Sequence, residues 1–144
     1  MTEGVNMFKY IRKAQYHETD KMGIIHHSNY IKWMEEARIE LMDCIGFGYK
    51  TLEESGIISP VVSISLDYRK QVFFADEIEI RVEIQKYNGI VLELKYEFYN
   101  LTRDEICTNA FSKHGFLNDG KIVSLKKVLP VLDDKINSYI DMSK

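Results

Sequence analysis

Between residues 16 and 30 the chain reads Tyr-His-Glu-Thr-Asp-Lys-Met-Gly-Ile-Ile-His-His-Ser-Asn-Tyr, its densest run of reactive side chains. Three of the four histidines, His17, His26 and His27, fall here beside Glu18 and Asp20. A metal centre needs ligands at fixed spacing. His26 and His27 are adjacent, so their rings diverge in regular structure, and no HExxH or CxxC accompanies them; no metal is expected. A serine nucleophile is no better supported. GxSxG is missing, and Ser28 stands where a helix cap accounts for it. Cys44, at a helical position near an apolar face, reads as a core thiol. A carboxylate facing a helix start fits better. Asp20 precedes the next apolar-periodic segment by eight to ten residues, with Gly23 allowing a tight path between. Unpaired N–H groups at a helix start can polarise a carbonyl oxygen and stabilise the oxyanion formed on attack. A carboxylate opposite them can attack that carbonyl, or deprotonate a water that does. Acyl transfer to water, with a thiolate as leaving group, suits the pair. An Asp before a helix is also an ordinary turn or cap residue, so position alone leaves both roles open.

These groups need elements to hold them. Residues 7–16 read as a strand with imperfect alternation, and 17–28 as a polar, Gly-containing loop. Tyr30, Trp33, Met34, Ala37, Leu41 and Ile45 then recur at helical spacing, with Ser28 or Asn29 as cap and Gly46 or Gly48 as stop. A shorter helical piece, YKTLEES, ends at Gly56. From residue 61 the period becomes two. Val62, Ile64, Leu66 and Tyr68 form one face, and Ile78, Ile80, Val82 and Ile84 another. Asn88-Gly89 predicts a tight hairpin into a returning strand that begins at Ile90. A further strand is expected at about 105–117, then the turn Asn118-Asp119-Gly120, a short strand KIVSL and a helix from Pro130. Clean alternation implies a sheet with one dry face, and only the helix after the loop is long and apolar enough to cover it. The fold class is α+β: a twisted antiparallel sheet wrapped round one long central helix.

Composition bounds the rest. The chain of 144 residues is 45% apolar and 28% charged, enough for a real core and consistent with one domain over 1–144. Its net charge of −3 leaves no basic excess to neutralise a phosphate backbone, so nucleic acid is not an expected partner. No apolar run of membrane-spanning length occurs, and the N-terminal MTEGVNMFKYIRK lacks the pattern of a secretory leader. Cys44 and Cys107 are read as two buried, reduced thiols, which points to the cytoplasm.

The run from Tyr16 to Tyr30, continuing to Glu35-Glu36-Ala37-Arg38, resembles the signature of the 4-hydroxybenzoyl-CoA thioesterase family, hotdog-fold enzymes acting on acyl-CoA. The order of strands and helix agrees over nearly the whole chain. The resemblance implies an acyl-CoA thioesterase yielding a carboxylic acid and free CoA, with CoA as part of the substrate and no separate cofactor. It implies that Asp20 is the catalytic carboxylate, nucleophile or general base, and that His27 lies where a backbone N–H meets the thioester oxygen. Tyr16, Gly23, Ile24 and Tyr30 match substrate-site positions. Glu18 stands where relatives often carry Asp. Ile24, Ile25 and Trp33 would limit the acyl chain, and Arg69 and Lys70 are candidates for the CoA phosphates.

Other readings remain. Hotdog folds also host hydratases acting on β-hydroxyacyl thioesters, for which Glu36 or Glu40 would supply the acid. A non-catalytic acyl-CoA-binding module is a third, against which the Glu18-Thr19-Asp20 group argues. A core filled by its own helix leaves little room for an internal cavity, so the site is expected between subunits. Hotdog relatives pair sheets edge to edge as dimers, commonly within tetramers. The strand 90–99 or its neighbours would supply that edge.

Overall fold

The computed structural model describes residues 7–46 and 48–143; the start of the N-terminal stretch read for a leader lies outside them. Strand β1 (Phe8–Lys13) leads through a 3-10 turn at Tyr16–Glu18 and a loop to the long helix α1 (Ser28–Ile45). Helix α2 (Tyr49–Glu54) and the short strand β2 (Ile57–Ile58) follow. The strands β3 (Val61–Tyr68), β4 (Glu77–Tyr87), β5 (Leu92–Asn100) and β6 (Glu105–His114) complete the main sheet. The chain ends in β7 (Leu117–Asn118), β8 (Lys121–Ile122), the single turn α3 (Leu125–Val128) and α4 (Pro130–Ser143).

The main sheet is antiparallel with strand order β1-β4-β5-β6-β3. Alternation sends Ile78, Ile80, Val82, Leu94, Tyr96 and Phe98 to one face, where Trp33, Ala37 and Leu41 of α1 complete the core. The opposite face is paired rather than bare. Arg81 bridges Glu79 and Glu97 at 2.7 and 2.8 Å and lies over the ring of Tyr99. A helix packed on one face of an antiparallel sheet is the α+β arrangement that the patterning predicted, and the hotdog fold that the resemblance implied.

Several expectations need correction. The first strand stops at Lys13, because Glu18 folds back to accept a hydrogen bond from Gln15 N–H and closes a turn. The fifth strand begins at Leu92, not Ile90. Asn88 Oδ1 accepts from both Ile90 and Val91 N–H, so residues 88–91 form a wider loop in which Gly89, at φ +90°, is the left-handed residue. The tight two-residue turn lies instead at Asp119-Gly120, where both φ values are positive. Residues 90–99 cannot supply a sheet edge, since β5 is the central strand; the edges are β1 and β3. Cys44 is exposed rather than a core thiol, whereas Cys107 is buried. No described helix is long and apolar enough to cross a membrane.

Candidate active site

Asp20 closes a turn with its own side chain. Its Oδ1 accepts from Met22 N–H at 2.8 Å and Ile24 N–H at 3.2 Å, and Gly23 N–H returns to its carbonyl. Gly23 sits at φ +79° with open space around it. The backbone conformation by itself therefore requires glycine here. Oδ2 of Asp20 accepts no hydrogen bond among the described residues, so half of the carboxylate is uncommitted.

The helix start is built by an imidazole. Neither Ser28 nor Asn29 caps it; His26 Nδ1 takes Ser28 N–H at 3.2 Å and contacts Ser28 Oγ at 2.8 Å. Asn29 is buried and turns its amide back to the carbonyls of Glu18 and His26, pinning the loop to the helix. The N–H groups of Asn29 and Tyr30 bond to the carbonyls of His26 and His27, whereas His27 N–H has no partner among the described residues. The His27 ring stacks on His26 with centroids 4.2 Å apart.

These pieces converge. Asp20, Ile24, Ile25, His26, His27, Tyr30, Tyr68, Arg69, Lys70 and Gln71 line one open groove of about 270 Å³ between the loop, the start of α1 and the end of β3. Of the residues singled out in the sequence, Asp20, Ile24, His27, Tyr30, Arg69 and Lys70 are brought together there. Arg69 and Lys70 are fixed by the backbone, both N–H groups donating to the Cys107 carbonyl, and Arg69 also pairs with Asp67 at 2.9 Å.

Tyr16 and Gly23 do not line the groove. Tyr16 is 75% exposed and meets only the edge of Phe74, because the 3-10 turn swings it outward. Trp33 does not limit the groove either: it is wholly buried, with Nε1–H donating to Glu18 Oε2 at 3.0 Å. Tyr30 is a wall of the site, packed edge-on against Tyr68, and its phenol is pushed up by burial.

Two contributors escaped the sequence reading. Tyr68 was assigned only to a strand face, yet its hydroxyl donates to the His27 carbonyl at 3.3 Å and closes the groove. Glu18 was read only as a member of the Glu18-Thr19-Asp20 group, yet it is the buried hub of the loop. Its carboxylate accepts from Arg12, Gln15 N–H and Trp33, and its carbonyl from His26 N–H and Asn29. Burial works to raise its pKa, but the Trp33, Gln15 and Arg12 hydrogen bonds outweigh that and hold the carboxyl below its ordinary value. Glu36 bonds Tyr10 and Arg12 on the β1 side of the helix and is not in the groove, nor is Glu40.

Comparison with known proteins agrees with this architecture. Residues 14–135 match the family described as the thioesterase-like superfamily. A Bacillus subtilis (strain 168) protein provisionally named acyl-CoA thioesterase YneP is 37% identical over 102 residues, 71% of this chain and 73% of that protein. The crystal structure of a DHNA-CoA thioesterase from Staphylococcus aureus superposes with a TM-score of 0.87 at 29% identity, covering 96% of this chain and 95% of that one. A hypothetical protein from Aquifex aeolicus superposes with a TM-score of 0.80 at 34% identity, covering 87% and 98%.

Proposed function

We propose that this chain, which belongs to the thioesterase-like superfamily, is a thioester hydrolase that cleaves acyl-CoA to a carboxylic acid and free CoA. The observation that carries the reading is the meeting, in one groove, of a carboxylate oxygen and a helix-start N–H that the fold leaves without partners. The thioester carbonyl oxygen accepts from His27 N–H, which stabilises charge as the carbonyl carbon becomes tetrahedral. Asp20 Oδ2 takes a proton from water as the new C–O bond forms, or itself bonds the carbonyl carbon to give an anhydride that water opens. In either route the C–S bond breaks, and the thiolate leaves to be protonated as free CoA. Arg69 and Lys70 supply positive charge at the groove for the CoA phosphates.

The reading takes residues 1–144 as one catalytic domain in the cytoplasm, with no cofactor beyond the CoA of the substrate. The names of the Bacillus and Staphylococcus relatives support an acyl-CoA substrate. Assignment to the 4-hydroxybenzoyl-CoA branch rests on the resemblance of residues 16–38. The placement of Glu36 away from the groove disfavours the hydratase reading.

Thiol release from short, medium and aromatic acyl-CoAs tests the proposal directly. Asp20→Asn is expected to lower kcat/KM by roughly 10²–10⁴-fold, the range of general-base contributions. No release from any acyl-CoA, or release indifferent to Asp20, would overturn it.

A further inference from the structure

A second cavity lies along the same seam between α1 and β3, beyond the catalytic groove. It is lined by Met34, Glu35 and Arg38 of α1, Ile64 of β3, Tyr96 of β5 and Ser112 and His114 of β6, among others, and encloses about 30 Å³. That is room for a water or one polar ligand group. Its walls hold one buried nitrogen without a partner and one guanidinium without an anion. His114 is 1% exposed, and among the described residues its Nδ1 has no hydrogen-bond partner. Arg38 is 6% exposed and, among the described residues, makes neither a hydrogen bond nor an ion pair; its guanidinium lies over the Tyr49 ring, 5.6 Å from the centroid. Buried charges are ordinarily paired, and buried polar atoms ordinarily bonded. The buried, unpartnered His114 Nδ1 beside a guanidinium with no anion is an arrangement that an oxygen ligand would complete.

The other ring nitrogen of His114 is already committed. Its Nε2 lies 2.7 Å from Ser112 Oγ, which lies 2.6 Å from Tyr96 OH. The chain can run either way; in the direction where Tyr96 donates to Ser112 and Ser112 to Nε2, the ring carries its proton on Nδ1. In that state the lining residues offer an imidazole N–H and a guanidinium as donors.

We propose that Arg38 and His114 form a subsite for an oxygen substituent, a carboxylate or hydroxyl, at the far end of the substrate's acyl group. This rests on the thioester-hydrolase reading. Cα positions eight residues apart on a helix are separated by about 12 Å, so the span from Tyr30 to Arg38 suits an acyl group of medium length. The substrate class is thus an ω-oxygenated acyl thioester rather than a plain fatty acyl one.

The test compares suberyl-CoA and 8-hydroxyoctanoyl-CoA with octanoyl-CoA, three substrates of equal chain length. Wild type is expected to favour the oxygenated pair by tenfold or more in kcat/KM, since a site built to bond an oxygen discriminates strongly against its loss. Arg38→Met should bring that ratio towards one, and Arg38→Lys should restore part of it for suberyl-CoA. Free suberate should raise the wild-type melting temperature more than octanoate does, a difference Arg38→Met should abolish. Hydrolysis of all three at equal efficiency would overturn the subsite and leave the hydrolase reading intact. If no acyl-CoA is hydrolysed the hydrolase reading fails, and suberate binding alone then decides whether the acid site exists. A drop from dimer to monomer in Arg38→Met, with no change in preference, would assign Arg38 to a subunit contact and overturn the subsite.

Discussion

His114 stays neutral well below the pH at which an ordinary imidazole charges. Burial is the main cause and the positive charge of Arg38 the second, and together they push its pKa down to about 3. Arg38 and Glu35 from α1 and Tyr96 from β5 are the ionisable groups that share its cavity. The folded-state pKa is depressed, so as pH falls through 6.5 the unfolded chain takes up a proton that the folded chain refuses. Stability is then lost at about 1.4 kcal/mol per pH unit. Glu18 and Asp76 also have lowered values, but their contributions disappear only as the pH approaches the ordinary carboxylate range. Urea unfolding at pH 6.5 and pH 5 should therefore show wild type losing about 2 kcal/mol more than His114→Gln; equal losses would contradict a neutral, buried imidazole. Asp20 and His27 were legible in the sequence because the motif is local, with every member within a few residues of the next. Glu18 was not. Its partners Arg12 and Trp33 lie on a strand and a helix whose juxtaposition only the fold creates. Tyr68 was missed for the same reason, being 41 residues from the His27 carbonyl that it reaches.

Elements were legible where one periodicity ran long, and failed at their ends, where a side chain competes with the backbone. The span of α1 follows from its apolar repeat. Its first turn does not, because an imidazole takes the capping bond that a serine was expected to supply. The β4–β5 loop shows the same competition. Asn88 spends its side-chain oxygen on two backbone N–H groups, which widens the turn and brings the Gly89 carbonyl within 2.8 Å of Leu125 N–H. The loop thereby fastens the sheet to the start of α3. A Cβ at Gly89 would meet Ser124 Oγ at 3.2 Å in addition to the strain of φ +90°, whereas at Gly120, φ +78°, it would meet nothing. Gly120→Ala should cost about 1 kcal/mol from backbone strain alone. Gly89→Ala should cost about 1 kcal/mol more, because the crowding threatens a bond between elements. Thermal melts of the two variants compare them directly, and an equal effect would show that the Ser124 contact yields freely.

At the scale of the molecule the open matter is what covers the sheet edges. The β1 edge carries Lys9, Arg12 and Lys13 around a single exposed Ile11, a charged border of the kind that discourages pairing. The β3 edge is different. Val61, Val62 and Tyr68 are between 45% and 59% exposed, and Phe111 on the adjoining β6 is 48% exposed. From Val61 to Leu66 the strand carries no charge. An unpaired, apolar and uncharged edge is a template for a second strand. We infer that two copies join there by antiparallel pairing of β3 about a two-fold axis. The catalytic groove and the Arg38 cavity both open beside this strand, through Tyr68 and Val61. Pairing would therefore place the partner against both and finish their walls. Val62→Lys puts a charge on the edge at a residue that does not itself line the groove. In analytical ultracentrifugation this variant should sediment near the 16.9 kDa of one chain, and wild type at twice that mass or more. Hydrolysis should fall with assembly, and raising the protein concentration should recover part of both together. A wild-type chain that is monomeric and fully active would show that β3 is an edge left bare and that one copy suffices for the site.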